Sequence, residues 1–246
     1  MDYASRSTAA LLADAAAAAI ASNPDDRELW DLIYALHERA TRDVFEAAAA
    51  WCRSPSPPLR RLGVDVLGEL GLDAGFPFAR ESEPVLMPLL QDCETTVVAA
   101  AALALGTLGA DDTATLCRAA SHAAASVRAA VARSLCDLAG ASVVPTLIAL
   151  TRDVEAEVRQ LATSGLGGFD REDTEELRLA LVERLEDTDA ETREEAIFAL
   201  AQLGDDRVDA ALRVALEEPE TSELIEMAAM AVENKRRPRR PLPRRN

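Results

Sequence analysis

The sequence has few aromatic residues and no long apolar run. Phe, Trp and Tyr make up 4% of the 246 residues, whereas apolar residues as a group make up 49%. The apolar content is therefore mostly alanine, leucine and valine, whose side chains suit closely packed helices. The longest apolar stretches, such as residues 15–21, are too short to span a bilayer. The first residues lack the basic and then apolar pattern of a secretory signal. These absences predict a cytoplasmic protein.

Cysteine and histidine, the residues of most zinc and redox sites, are sparse and scattered. The four cysteines form no C-x-x-C pair, so we expect reduced thiols that act as small apolar side chains. Neither His37 nor His122 has a second histidine or cysteine three or four residues away, which argues against a zinc site. Motifs of nucleophile elbows, phosphate-binding loops and zinc proteases are also absent. The sequence thus predicts no catalytic, cofactor-binding or metal site.

Basic residues are scarce outside the C-terminal end. The formal net charge is −17, yet residues 235–246 read KRRPRRPLPRRN and hold seven of the 26 basic residues and no acidic one. The rest of the chain has 19 basic and 43 acidic residues. Such an acidic body repels phosphate backbones and anionic membranes, and it suits a partner protein with a basic surface.

The strongest pattern in the sequence is an internal repeat. Five segments align without gaps, with anchors 30–38 residues apart at Arg60, Val98, Arg128, Arg159 and Arg193. Seven residues after each anchor there is always a leucine, at Leu67, Leu105, Leu135, Leu166 and Leu200. One residue further on there is always a small residue, at Gly68, Gly106, Cys136, Gly167 and Ala201. The leucines predict a buried helix face, and the small residues allow a neighbouring helix to approach closely.

Each repeat contains two amphipathic segments in about 30–40 residues, and no run alternates with the period of a strand. Gly71, Gly109 and Gly204, eleven residues after their anchors, predict the ends of second helices. Because a helix pair cannot bury its apolar face alone, neighbouring pairs must stack. We therefore predict an all-α fold, an α-solenoid of about seven stacked antiparallel helix pairs. It spans residues 1–234, most securely 41–217, and precedes a disordered Pro/Arg-rich tail at 235–246.

The turns between paired helices carry a more specific pattern. Asp153 and Arg159 lie six residues apart, as do Asp187 and Arg193. With the V-R-x-x-A…L-G-x-L-G form of the second helix, this resembles the HEAT repeat family, in the form found in phycobilin lyases and many bacterial HEAT proteins. The resemblance implies that these four residues form a structural ladder between repeats. We expect the ladder to be incomplete, because Asp92 precedes Val98 instead of an arginine, and His122 and Ser54 replace the aspartate.

The resemblance also implies that the second helices line a concave groove. Offsets 1, 5 and 9 from the anchors should face it. The candidate partner-binding residues at these offsets are Arg61, Asp65, Glu69, Leu103, Arg133, Asp137, Gln160, Glu194, Phe198 and Gln202. Leu103 and Phe198 are apolar where solvent is expected, so they either anchor a partner segment or are covered by adjacent loops or repeats. Trp30 and Tyr34 lie four residues apart on one helix face, and we expect them in the core of the N-terminal capping repeat rather than in a ligand platform.

These patterns favour a non-catalytic protein-binding scaffold. By resemblance, the alternative is a subunit of a bilin lyase or isomerase. A base-excising DNA glycosylase is disfavoured, because that activity needs a basic, aromatic groove. The tail residues Lys235, Arg236, Arg237, Arg239 and Arg240 could contact nucleic acid or another acidic surface, fold back on the acidic body, or remain solvated. Prolines in the tail favour an extended chain.

Overall fold

A computed structural model of the chain describes residues 3, 5–21, 27–168 and 171–236. In these residues there are fourteen α-helices and no strand. The first seven helices are α1 (Thr8–Ala21), α2 (Arg27–Arg39), α3 (Arg42–Trp51), α4 (Pro57–Glu69), α5 (Ala79–Leu86), α6 (Thr95–Thr107) and α7 (Thr113–Arg118). The others are α8 (Ala125–Leu135), α9 (Val143–Leu150), α10 (Ala156–Leu166), α11 (Glu175–Arg184), α12 (Ala190–Leu203), α13 (Asp209–Leu216) and α14 (Glu223–Arg236). The predicted all-α fold of about seven helix pairs is confirmed.

The chain divides into two compact units, Met1–Thr146 and Leu147–Asn246, which we call unit 1 and unit 2. The boundary falls within α9. In unit 1, the second helices α4, α6 and α8 pack in succession, and α3, α5 and α7 each pack on the second helix of their own pair. At the N-terminal end of unit 1, α1 packs on α2 and α4. In unit 2, α10, α12 and α14 pack in succession, with α11 on α12 and α13 on α14.

The conserved spacing of leucines in the repeat produces the core. All five leucines at offset 7 are at most 1% exposed: Leu67, Leu105, Leu135, Leu166 and Leu200. Complete burial of a leucine side chain contributes about 1.5–3 kcal/mol relative to leaving it in water. These leucines therefore contribute to the cohesion of the second helices.

The small residues at offset 8 allow close helix contacts. A Cβ atom on Gly68 would lie 2.9 Å from the Ala104 Cβ, and one on Gly106 would lie 2.6 Å from the Ser134 Cβ. Each glycine faces the small residue at offset 6 of the next second helix. A larger residue at either position would force these helices apart. The helices end as predicted, because Gly71, Gly109 and Gly204 have left-handed φ values of 74°, 68° and 68°.

The turns between paired helices share one side-chain hydrogen bond. The side chain six residues before each anchor accepts the backbone N–H two residues further on. The acceptors are Ser54, Asp92, His122, Asp153 and Asp187. The bond from the Ala124 N–H to His122 Nδ1 is 3.0 Å long. Ser54 and His122, which depart from the sequence pattern, therefore still supply the acceptor that the turn needs.

The ion pairs of the ladder join an arginine of one repeat to the aspartate in the turn of the following repeat. Arg60 donates from Nε and Nη2 to the Asp92 carboxylate at 2.6 and 2.7 Å, and Arg159 binds Asp187 likewise at 2.9 and 2.8 Å. Each pair thus joins one repeat to the following one. Arg159 also donates to the backbone carbonyl oxygen of Asp153, in its own turn, at 3.0 Å.

The expectation that Asp92 lacks a ladder arginine is therefore wrong. Its partner, Arg60, lies in the preceding repeat, so a valine at position 98 does not matter. The side chains of both ladder pairs are at most 11% exposed. Hydrogen bonds from the arginines lower the pKa of Asp92 and Asp187. Arg193 donates to the backbone carbonyl oxygens of Asp187 and Thr188 at 2.7 and 3.2 Å.

The end of α14 overlaps the segment predicted as a tail. The helix continues to Arg236, two residues beyond the predicted boundary. Lys235 donates from Nζ to the backbone carbonyl oxygen of Gln202, at the C-terminal end of α12. Arg237, Arg239 and Arg240 lie outside the described residues. None of the described helices combines the length and apolar character that a membrane span requires.

Candidate functional site

Four of the predicted groove residues come together in unit 1. Arg61, Asp65 and Glu69 lie one turn apart along α4, and Leu103 lies on the adjacent α6. They line a cavity of about 150 Å³, which Trp30 of α2 also borders. Leu103 is 39% exposed, as expected for a side chain that faces solvent.

A second cavity, of about 130 Å³, lies beside the first. Its walls include Leu29, Pro57 and Leu62, and it shares Arg61 and Asp65 with the first cavity. The two side chains shared by both cavities form an ion pair, in which Arg61 Nε lies 2.8 Å from each carboxylate oxygen of Asp65. A salt bridge therefore stands between two pockets that are otherwise largely apolar.

The environment of Asp65 alters its chemistry. Burial raises the pKa of this carboxyl group to about 6, and the nearby Arg61 only partly opposes the shift. The side chain of Asp65 is 13% exposed and that of Arg61 is 27% exposed. Arg61 also donates from Nη1 to the Thr96 carbonyl oxygen of α6 at 3.4 Å. The ion pair is thus fixed between α4 and α6.

His37 supports the same surface from α2. Its Nε2 atom lies 3.0 Å from the backbone carbonyl oxygen of Asp65, which requires a proton on Nε2. Its Nδ1 atom lies 3.5 Å from Glu69 Oε2. Burial lowers the pKa of His37 and favours the neutral ring. The histidine thus positions α2 against α4.

A third cavity, of about 370 Å³, continues the surface beyond Glu69. It is bordered by Tyr34, His37, Glu38 and Asp73 as well as by Glu69. We call the surface around the three cavities the α4 site. It is defined by Trp30, Tyr34, Arg61, Asp65, Glu69 and Leu103.

The prediction that Trp30 and Tyr34 belong to a capping core is wrong. Trp30 is 39% exposed and Tyr34 is 60% exposed. The core face of α2 is formed instead by Leu29, Leu32, Ile33 and Leu36, all at most 5% exposed. Those four residues follow the spacing of one helical face, and this spacing is the sequence signal that separates the aromatic residues from the core.

The remaining groove candidates lie apart from the α4 site. Arg133 and Asp137, at the end of the α8 region of unit 1, are exposed. The candidates in unit 2 are half-buried: Gln160, Glu194, Phe198 and Gln202. Glu194 accepts a hydrogen bond from the Ser222 hydroxyl at 2.6 Å. Phe198 therefore offers less apolar surface than predicted, whereas Leu103 is exposed.

Metal-ligating residues do not gather in the part of the chain that the structure describes. No group of three or more His, Cys, Asp or Glu residues there could hold a metal ion. The four cysteines are free thiols. Burial raises the pKa of Cys52 to about 12, so this thiol stays protonated and unreactive.

Comparisons with known proteins identify HEAT repeats in part of the chain and a HEAT-like fold for the whole. Residues 144–233 match the sequence model of HEAT repeats. The X-ray structure of YibA from Escherichia coli superposes with a TM-score of 0.74 at 21% identity, covering 94% of this chain and 83% of that one. The archaeal HEAT-like repeats protein from Thermococcus onnurineus NA1 gives a TM-score of 0.60 at 11% identity, covering 90% of this chain and 95% of that one.

A third structure concerns the alternative function. The complex of CpcE and CpcF of phycocyanin lyase from Nostoc sp. PCC7120 has 18% identity and covers 88% of this chain and 92% of that one. Its TM-score is 0.48. No curated protein matches the sequence. Residues 144–233 therefore match HEAT repeats, and the chain as a whole has the fold of HEAT-like repeat proteins.

Proposed function

We propose that this chain is a non-catalytic protein-binding scaffold and that it binds a partner protein at the α4 site. The observation that carries the proposal is the pair of cavities separated by the Arg61–Asp65 ion pair and bordered by Trp30 and Leu103. Protein interfaces derive most of their affinity from a few aromatic or apolar anchors in such pockets. The α4 site has the pockets and an exposed aromatic rim.

The bonding of the polar groups supports binding rather than catalysis. Arg61 and Asp65 bind each other, and His37 is held by a backbone carbonyl oxygen. These bonds fix the shape of the cavities. Glu69 remains half-exposed, with 55% of its side chain accessible. It can therefore receive a cation from a partner.

The charge of the chain supports a partner with a basic surface. Acidic residues outnumber basic ones, and Glu38, Glu69 and Asp73 border the third cavity. An acidic surface increases the rate of association with a basic protein and disfavours nucleic acid. A cytoplasmic location stays a prediction.

The proposal can be tested by affinity capture followed by measurement with purified components. A protein captured from a cell extract by the full chain is identified by mass spectrometry and purified. Its affinity is then measured by calorimetry for the wild type and for the Trp30→Ala and Leu103→Ala variants. Loss of a buried anchor costs about 2 kcal/mol or more, which is roughly a 30-fold weaker Kd.

The matched control is Leu179→Ala in α11, which removes an apolar side chain that is 48% exposed and lies outside the α4 site. We expect this variant to bind like the wild type. Equal affinity of the Trp30 and Leu103 variants and the wild type would refute the α4 site as the binding surface. Circular dichroism of each variant verifies that the helices are intact.

A further inference from the structure

We propose that the α4 site binds the C-terminal segment 239–245 of a second copy of this chain. The inference rests on the binding surface proposed above and names its occupant. The segment reads RRPLPRR and lies outside the described residues. It combines one leucine-sized anchor with two arginines on each side. The chain therefore carries both a receptor surface and a segment of complementary chemistry.

The charges of the α4 site favour an arginine-rich occupant. Among the described residues that line its three cavities, Arg61 is the one arginine or lysine, and Asp65 binds it through both carboxylate oxygens. Glu38, Glu69 and Asp73 share the wall of the third cavity with no described arginine or lysine. The site therefore presents net negative charge to an incoming segment, which attracts cations and repels acidic segments.

The volume of the first cavity matches a single apolar side chain. A cavity of about 150 Å³ lined by apolar groups can hold a molecule of the size of benzene, and the cavity beside Trp30 and Leu103 has about this volume. Leu242 is the one large apolar residue in segment 235–246. We place its side chain in this cavity.

The third cavity is suited to a guanidinium group. Tyr34 is 60% exposed at its border, and Glu69 lies on the same border and on that of the first cavity. A guanidinium group binds a carboxylate and stacks on an aromatic ring, which a lysine ammonium does less well. In the tail, arginines lie two and three residues from Leu242 in both directions. An extended or a polyproline segment therefore places an arginine on the same side as the leucine.

A contact between the tail of one copy and the α4 site of another predicts association that depends on concentration and salt. Sedimentation of the full chain at low ionic strength should show reversible association. Either Trp30→Ala or Leu242→Asp should reduce the association constant at least tenfold. The control Leu179→Ala should associate like the wild type.

Mixing two defective variants gives the sharpest test. The Trp30→Ala chain retains an intact tail, and the Leu242→Asp chain retains an intact α4 site. A mixture of the two should associate again, with one productive contact per pair. Failure of the mixture to associate, when the wild type does so, would overturn the proposal of a contact between copies.

A peptide titration locates the contact independently. A fluorescent synthetic peptide of residues 237–246 is titrated into the full-length Leu242→Asp chain, and the binding constant is measured at low and high salt. Relative to the wild-type peptide on this chain, we expect at least tenfold weaker binding for a peptide that carries Leu242→Asp. We expect the same loss when the chain carries Leu103→Ala in addition to Leu242→Asp. High salt should weaken the binding of the wild-type peptide at least tenfold as well.

Each other outcome contradicts the inference. Equal binding to the Leu103→Ala chain would place the peptide elsewhere, and a wild-type chain that stays monomeric would exclude the second copy. If the peptide does not bind at all, the tail is not the occupant. The proposed function would still be decided separately by calorimetry with the captured partner.

Discussion

Unit 1 and unit 2 use their charged residues in different ways. In unit 2, Arg178 binds both Asp173 and Asp205, and Arg207 binds both Asp205 and Glu175. In unit 1, Glu69 lies half-exposed beside cavities and an exposed aromatic rim. The HEAT repeat match covers residues 144–233, which lie almost wholly in unit 2. The comparison teaches that carboxylates bound by arginines hold helices together, as Asp92 also does in unit 1, whereas the candidate site presents the half-exposed carboxylate of Glu69.

The pKa values of one aspartate in each unit illustrate this difference. Asp65 in unit 1 has one arginine partner, and burial outweighs this partner, so the pKa of Asp65 rises to about 6. Asp205 in unit 2 accepts hydrogen bonds from Arg207, Arg178 and the Arg207 backbone N–H, which together lower its pKa. Ionisation is therefore favoured where several donors converge and disfavoured where burial dominates.

Removing a core leucine should lower the free energy of unfolding more than any other change proposed here, in either unit. Leu105→Ala in unit 1 and Leu200→Ala in unit 2 should each lower the free energy of unfolding by about 2–5 kcal/mol. Urea unfolding measures these losses. Both tryptophans, Trp30 and Trp51, lie in unit 1, so fluorescence should report the Leu105→Ala loss. Leu103→Ala, in the same helix but exposed, should cost much less, and an equal cost would contradict the burial pattern.

Breaking a ladder ion pair should cause the next largest loss in the free energy of unfolding. Arg159→Ala removes a two-bonded contact to Asp187, and charge-assisted hydrogen bonds of this kind contribute about 1.5–3 kcal/mol. The same loss is expected for Arg60→Ala in unit 1. Arg193→Ala should cost less, because its described bonds reach only backbone carbonyl oxygens. Urea unfolding that shows the three variants to be equally stable would show that the carboxylate contacts contribute nothing.

The pKa of Asp65 predicts a pH dependence of opposite sign to that of the ladder aspartates. Its folded pKa lies above the unfolded value of about 3.9, so stability from this group falls as pH rises from about 4 to 6, by up to about 1.4 kcal/mol per pH unit. Asp65→Asn should remove this slope. Carbon-detected NMR of the carboxyl group should give a midpoint near 6, and a midpoint near 4 would refute the effect of burial.

Substitution of His122, in the turn between α7 and α8, should cause the smallest change in stability. His122→Ala removes the acceptor for the Ala124 N–H and should cost about 0.5–1.5 kcal/mol. His122→Asp should keep the stability at pH 7, because aspartate fills the same role at Asp92 and Asp187. Thermal unfolding compares the three proteins. A loss in His122→Asp as large as in His122→Ala would show that the histidine has a different role.

The sequence predicted the helices and the core because these depend on local spacing. The helix pairs, the buried leucines and the left-handed glycines all follow from helical periodicity and from glycine's tolerance of positive φ. The partner of Asp92 was missed because Arg60 lies 32 residues earlier, in another repeat. The exposed position of Trp30 was missed because a large apolar side chain was expected in the core. The spacing of Leu29, Leu32, Ile33 and Leu36, which places the core face of α2 elsewhere, was not taken into account. The cavities depend on packing between helices, which no single segment specifies.

The ladder has a polarity that governs how such a chain can change length. Each bridging arginine lies in one module, and its carboxylate lies in the next. A module that has an aspartate in its turn and an arginine at its anchor, such as Asp153 and Arg159, therefore adds an acceptor and a donor together when it is duplicated. The module with Asp92 and Val98 has the acceptor alone, so its duplication would add a buried carboxylate without an arginine. Growth is thus electrostatically neutral only by complete modules that hold both residues.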